Sequence, residues 1–178
     1  MRILVVVDMQ NDFIDGVLGT PEAQAIVDNV VAKITGFDGT VAFTQDTHSE
    51  NYMNTQEGRA LPVKHCVLDT HGWELNDKVA EALNSAASEA FIKHTFGSTH
   101  LGSWLALMES VKPLDEVVLV GLCTDICVIS NALLVKAFLP EVKVTVDAAC
   151  CAGVTPASHE NALRAMQMCQ VNIENWEG

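Results

Sequence analysis

Positive charge is scarce in this chain: 10 Lys and Arg stand against 23 Asp and Glu, a net charge of -13 spread along the sequence and not gathered in a tail. That balance argues against nucleic acid, polyphosphate or an acidic membrane surface as partner. No apolar run reaches the length needed to span a bilayer. The six cysteines (66, 123, 127, 150, 151 and 169) lack the spacing of a disulfide framework. Met1-Arg2-Ile3 leads directly into a strand pattern, so no signal peptide is expected. These absences lead us to expect free thiols in a reducing cytoplasm. Repeats, low-complexity tracts and linkers are also missing, and 178 residues fit a single domain, 1–178, large enough to bury a core without staples.

What is present alternates between short apolar runs and helical patterns. Strands are expected over Ile3 to Val7, Thr40 to Thr44, Ala90 to Lys93, Val117 to Leu122, Val142 to Val146 and Gln170 to Glu174. Helices are expected over Pro21 to Thr35, Trp73 to Ala87, Leu101 to Ser110, Asp125 to Leu139 and Pro156 to Met168. Thr20 and Thr155 suit N-caps ahead of first-turn prolines. The alternation defines an α/β fold with a mostly parallel sheet covered on both faces. Residues 45–72 interrupt it, and a stretch of that length in a compact α/β domain is more often functional than idle.

In such sheets ligands bind beyond the carboxyl ends of the strands. Four strand ends there carry Asp8, the pair Asp46 and His48, Lys93, and Cys123. Just past the fourth, Cys127 opens a helical pattern, where free backbone N–H groups and the helix dipole are expected to favour its thiolate. Taken singly, each residue has a bland reading: a buried structural thiol, a turn-capping acid, a solvated lysine. Together they supply a nucleophile, a base and an ammonium. Within 45–72, Asp46 and His48 are two apart on an extended strand end, followed by Glu57 and His65; this donor set suits Zn, Mn or Fe in the +2 state, although loop His and Glu are usually just solvated. The Cys-x-x-x-Cys spacing of Cys123 and Cys127 has no second cluster to complete a metal site.

Asp8-Met9-Gln10-Asn11-Asp12-Phe13, Lys93 and Gly121-x-x-Thr124-Asp125-x-Cys127-Val128 resemble the isochorismatase-like cysteine hydrolases, and within them the nicotinamidases or pyrazinamidases. The resemblance spans nearly the whole chain. It implies a three-layer Rossmann-like fold with a six-stranded, mainly parallel sheet. It also implies a catalytic triad of Asp8, Lys93 and Cys127, and an oxyanion site from the backbones of Cys127 and Cys123 next to a cis Leu122-Cys123 bond. Asp46-Thr47-His48 and His65-Cys66 look like the family's metal elements, with Glu57 as a further carboxylate ligand. The implied ion, zinc first and Mn or Fe otherwise, would anchor the pyridine-type nitrogen of a small-molecule amide and turn its carboxamide toward Cys127. The implied reaction converts nicotinamide to nicotinate and ammonia through an acyl-enzyme, for NAD salvage in the cytoplasm. Relatives commonly form a homo-oligomer. Two readings compete: a related cysteine hydrolase of an N-carbamoyl or ureido compound, and an idle family member retained as a binding protein.

The chain departs from that pattern at the ring walls. Thr47 stands where many nicotinamidases carry Trp, and Leu61-Pro62-Val63-Lys64 precedes the later His without an aromatic. Phe13 is expected as one wall, and Phe96 with His100 as a second, core packing being the alternative for Phe96. Trp73 reads as packing at a helix start. Beyond that wall, His71, His94, His100 and His159 receive no assigned role.

Overall fold

The computed structural model describes residues 1–177. Six strands form one sheet: β1 (Arg2–Val7), β2 (Thr40–Asp46), β3 (Glu89–Lys93), β4 (Glu116–Leu122), β5 (Lys143–Ala152) and β6 (Asn172–Glu174). Their spatial order is β3-β2-β1-β4-β5-β6, and every pairing is parallel. Parallel strands need crossovers, and helices laid on both faces bury the strands on both sides. That is why β4 is buried throughout and apolar from Val117, and β1 is apolar and buried from Ile3 onward.

The helices are α1 (Asn11–Ile14), α2 (Pro21–Ala25), α3 (Val27–Thr35), α4 (Gln56–Ala60), α5 (Asp77–Ser85), α6 (Thr99–Val111), α7 (Ile129–Phe138) and α8 (Pro156–Met168). Alternate residues of β1 divide the core. Ile3, Val5 and Val7 pack with Leu105, Val135 and Leu163 of α6, α7 and α8. Leu4 and Val6 pack with Val30, Ile34, Val79 and Leu83 of α3 and α5. Thr155 and Ser158 form a reciprocal capping box at α8, and Thr20 caps α2 through Ala23 N. Among the described residues no helix is long and apolar enough to cross a membrane.

Several elements differ from the sequence pattern; the helix expected over Asp125 to Leu139, for one, is a π-helical turn, Thr124–Val128, followed by α7 from Ile129. The helix expected over Pro21 to Thr35 is two helices, because the Ile26 N–H bonds back only to Gln24 and breaks the ladder. The helix expected from Trp73 starts at Asp77, where the Asn76 side chain caps it; Leu75 instead bridges to Gln10. Strand β5 runs on to Ala152 because an irregularity beside Leu119 and Gly121 restores pairing at Cys151 and Ala152. The polar Asp147 hid this continuation; it is buried and paired with Lys33 at 2.6 Å.

The order reverses between β1 and β4, the switch point at which a crevice opens beyond the carboxyl ends. There the chain turns sharply. Asp8 has φ 47° and Gly121 φ 113°, and a Cβ on Gly121 would lie 2.1 Å from the Val7 carbonyl oxygen. Glycine is required at that close approach.

Candidate active site

Lys93 gathers the site. The last residue of β3, it is only 3% exposed, and its Nζ lies 2.7 Å from Asp8 Oδ2, 3.1 Å from Asp46 Oδ1 and 3.4 Å from Cys127 Sγ. Asp8 is fully buried at the end of β1 and accepts a 2.7 Å hydrogen bond from Thr44 Oγ1. Cys127 sits in a π-helical turn, Thr124–Val128, ahead of α7. Asn131, one turn on, donates to the Cys127 carbonyl at 2.8 Å and accepts from Ser98 N at 2.9 Å, tying the nucleophile's turn to the segment that carries Phe96. The Leu122-Cys123 peptide is cis.

Burial governs the electrostatics. It lifts Asp8 above the usual carboxylate range, with Lys93 opposing and Asp46 adding to the rise. Burial would lower Lys93, but Asp8, Cys127 and Asp46 outweigh it and hold the ammonium charged. The expectation of a favoured Cys127 thiolate is corrected: withdrawal from water and the facing Asp8 push the thiol well above its ordinary value, against the pull of Lys93. At rest a thiol faces the buried Asp8 carboxyl. Burial also pushes the Cys123 thiol up to about 12, so its sulfur stays protonated at neutral pH.

Asp46, His48, Glu57 and His65 converge beside this centre, with one ligand atom from each lying within 4.8 Å of all the others. Asp46 Oδ2 is 2.9 Å from His48 Nε2 and 3.7 Å from His65 Nε2; Glu57 Oε1 is 3.5 and 3.7 Å from the same two nitrogens. Burial opposes ionisation of Asp46, but His48 and Lys93 outweigh it and lower the carboxyl. The group fits a divalent ion. His48 Nε2 is buried and, although 2.9 Å from Asp46 Oδ2, is not aligned for a hydrogen bond, and an N/O donor set of this kind suits Zn, Mn or Fe. His65 Nδ1 lies 2.8 Å from the Val63 carbonyl, which can only accept, so Nδ1 carries the proton and Nε2 keeps its lone pair facing the cluster.

A cavity of about 390 Å³ joins both groups; its walls include Phe13, Leu18, Phe96, Ile126 and Val154, and Cys127, Asp46, Glu57 and His65 line it. Phe13 packs on His65 with ring centroids 5.5 Å apart, while Phe96 is 45% exposed. Thr47 turns away from the cavity and accepts a 2.8 Å hydrogen bond from Trp73 Nε1. The sequence reading missed four contributors. Thr44 and Asn131 are described above. Tyr52, the chain's single tyrosine, is buried against His48 and His65 with centroids 4.7 and 5.0 Å away. Gln10, inside the Asp8–Phe13 motif, is buried and bonds both backbone groups of Asp46. Of the unassigned histidines, His94 Nδ1 donates to Thr47 O at 2.8 Å, and His159 Nδ1 pairs with Thr124 Oγ1 at 2.8 Å.

A cysteine, carboxylate and buried lysine at the switch point of a parallel sheet, beside a metal-ligand quartet, define a hydrolase-like centre. The isochorismatase domain matches residues 2–177, and the chain belongs to that family. Among its relatives is the nicotinamidase/pyrazinamidase of Mycobacterium tuberculosis, 30% identical over 149 residues that cover 74% of this chain and 77% of the relative. The crystal structure of a pyrazinamidase of Pyrococcus horikoshii in complex with zinc superposes with TM-score 0.78 at 26% identity, covering 98% and 99% of the two chains. A nicotinamidase/pyrazinamidase of Bacillus subtilis shares the fold with TM-score 0.82 at 24% identity, over 98% and 99%.

Proposed function

We propose that this protein, working as one domain, is a metal-dependent amidohydrolase that cleaves nicotinamide to nicotinate and ammonia through a thioester on Cys127. The observation that carries the reading is a single buried ammonium, Lys93, touching an acid with a raised pKa and a thiol at once, at the wall of a cavity that also holds four metal-type ligands. Nicotinamidase and pyrazinamidase relatives support the ring amide as substrate.

Asp8 takes the proton from Cys127 Sγ as the sulfur attacks the carboxamide carbon, and Lys93 balances the negative charge that remains. The tetrahedral oxyanion is met by the backbone N–H groups of Cys127 and Cys123. The C–N bond breaks as Asp8 returns the proton to the departing nitrogen, which leaves as ammonia. Water then adds to the thioester while Asp8 receives its proton, and nicotinate departs as Cys127 is reprotonated. The raised pKa of Asp8 suits this shuttle, because a carboxyl poised nearer neutrality can both accept and release a proton. Asp46, His48, Glu57 and His65 would hold one divalent ion, zinc first, whose Lewis acidity anchors the ring nitrogen. Phe13 and Phe96 flank the ring, and Thr44 orients the Asp8 carboxylate.

Ammonia release from nicotinamide tests the reading, run with wild type, with Cys127→Ala, and after chelation with metal added back. Turnover that needs both the cysteine and the ion is the expected result. Hydrolysis of a ureido compound that ignores chelation, with nicotinamide left untouched, would overturn it.

A further inference from the structure

Of the four consecutive residues Gln10 to Phe13 in the turn beyond β1, only Phe13 lines the cavity, yet all four side chains reach the excursion that carries the metal-type ligands. Gln10, fully buried, closes a two-way clamp on the Asp46 backbone: its Nε2 donates to Asp46 O at 2.8 Å, and its Oε1 accepts from Asp46 N at 2.7 Å. The same Nε2 donates to Trp73 O at 2.8 Å. Asn11 Nδ2 donates to His71 O at 2.9 Å. Asp12 Oδ2 accepts from Cys66 N at 2.7 Å, the peptide that follows His65, and Phe13 packs on the His65 ring.

We propose that Gln10 and Asp12 are positioning residues for the metal centre: Gln10 sets the Asp46 carboxylate and Asp12 sets the His65 ring. The inference rests on the metal reading above. Asp46 must serve two neighbours, with Oδ1 on Lys93 at 3.1 Å and Oδ2 toward His48 at 2.9 Å. A small rotation of its backbone would break one contact or the other, and ligand geometry tolerates only about half an ångström of slack. A carboxamide is the side chain that satisfies a backbone N–H and C=O together; a glutamate of the same shape would oppose an acceptor to the Asp46 or Trp73 carbonyl. Asp12 is confined from the far side, since a Cβ on Gly72 would lie 2.1 Å from its Oδ2. The turn thereby couples the strand that ends in Asp8 to both ends of the metal-bearing segment.

The test is Co(II) titration of metal-free protein, read by visible absorption, with kcat and KM for nicotinamide measured beside it and metal-free Tm as control. Gln10→Glu and Asp12→Ala should each weaken Co(II) affinity about 10- to 100-fold and alter the spectrum, as is usual when a group that orients a ligand is lost. Asp12→Asn keeps an acceptor for Cys66 N and should bind within about threefold of wild type. KM should rise more than kcat falls. If Gln10→Glu does not fold, the Asp12 pair carries the test. Affinity and spectrum unchanged in Gln10→Glu and Asp12→Ala, with only Tm lowered, would show a merely structural turn and overturn the inference. A wild-type protein that takes up no Co(II) would instead remove the metal reading beneath it.

Discussion

The two ends of the same parallel strands handle charge in opposite ways. At the amino ends Glu116 is gripped by Arg2 Nη2 and Lys143 Nζ, each at 2.8 Å, and by Thr145 Oγ1 at 2.7 Å; both cations remain roughly half exposed. Burial opposes ionisation there, but Lys143, Thr145 and Arg2 outweigh it and hold the Glu116 carboxyl down at about 2. At the carboxyl ends Asp8, Asp46 and Lys93 are all withdrawn from water, and burial lifts Asp8. The first cluster leaves every charge satisfied, a structural arrangement. The second keeps an acid, an ammonium and a thiol in contact, and burial lifts both the Asp8 carboxyl and the Cys127 thiol above their ordinary ranges, as is common where a protein places proton-transfer groups. Ion-pair distances alone do not separate the two ends; desolvation does.

The sharpest way to break this contrast is Cys127→Ala, which should cut turnover by roughly 10⁴-fold or more in an ammonia assay while the protein still binds nicotinamide. Substantial residual turnover would dissolve the distinction. Asp8→Asn removes the proton shuttle and should lower kcat about 10²- to 10⁴-fold. A rate within threefold of wild type would show that Asp8 is only a counter-ion, as Glu116 is. Thr44→Val deletes the hydrogen bond that orients Asp8 and should reduce kcat/KM by about tenfold, the effect of losing a buried bond to a charged group. At the other end, Glu116→Gln should leave kcat unchanged and lower Tm by about 2–4 °C, as expected for loss of a half-solvated pair worth about 1 kcal/mol. Because the folded Glu116 carboxyl lies near 2 against an ordinary 4.5, its contribution is complete above about pH 4.5 and is lost as pH falls toward 2. Wild type should therefore lose stability relative to Glu116→Gln across that window, in acid unfolding followed by circular dichroism.

The active end was the more legible in sequence, for a physical reason. Where an apolar strand pattern stops at an ionisable residue, the stop marks the carboxyl edge of a parallel sheet; Asp8, Asp46 and Lys93 stand at such stops and Cys127 a few residues past one, and the structure gathers them. The metal quartet was legible for a related reason, as Asp46 and His48 share one strand end. What stayed hidden depends on distant partners. Thr44 looks like any strand residue until Asp8 is beside it, and Asn131 matters through Cys127 and Ser98 together. Tyr52 gave no periodic signal in a loop. The protonation of Cys127 was misjudged because a helix dipole is a local property readable from sequence, whereas full burial against Asp8 is not. Strand β5 was cut short for the same reason, since the partners of Asp147 lie on α3 and beyond β6.

The central claim is that the desolvated end forms a covalent acyl-sulfur bond. Rapid acid quench of the wild-type protein during nicotinamide turnover, followed by peptide mass mapping, tests it directly. The account predicts a nicotinoyl thioester on Cys127, absent from the other five cysteines and from Asp8→Asn. Steady turnover with no adduct at any quench time, or an adduct on a different cysteine, would contradict it.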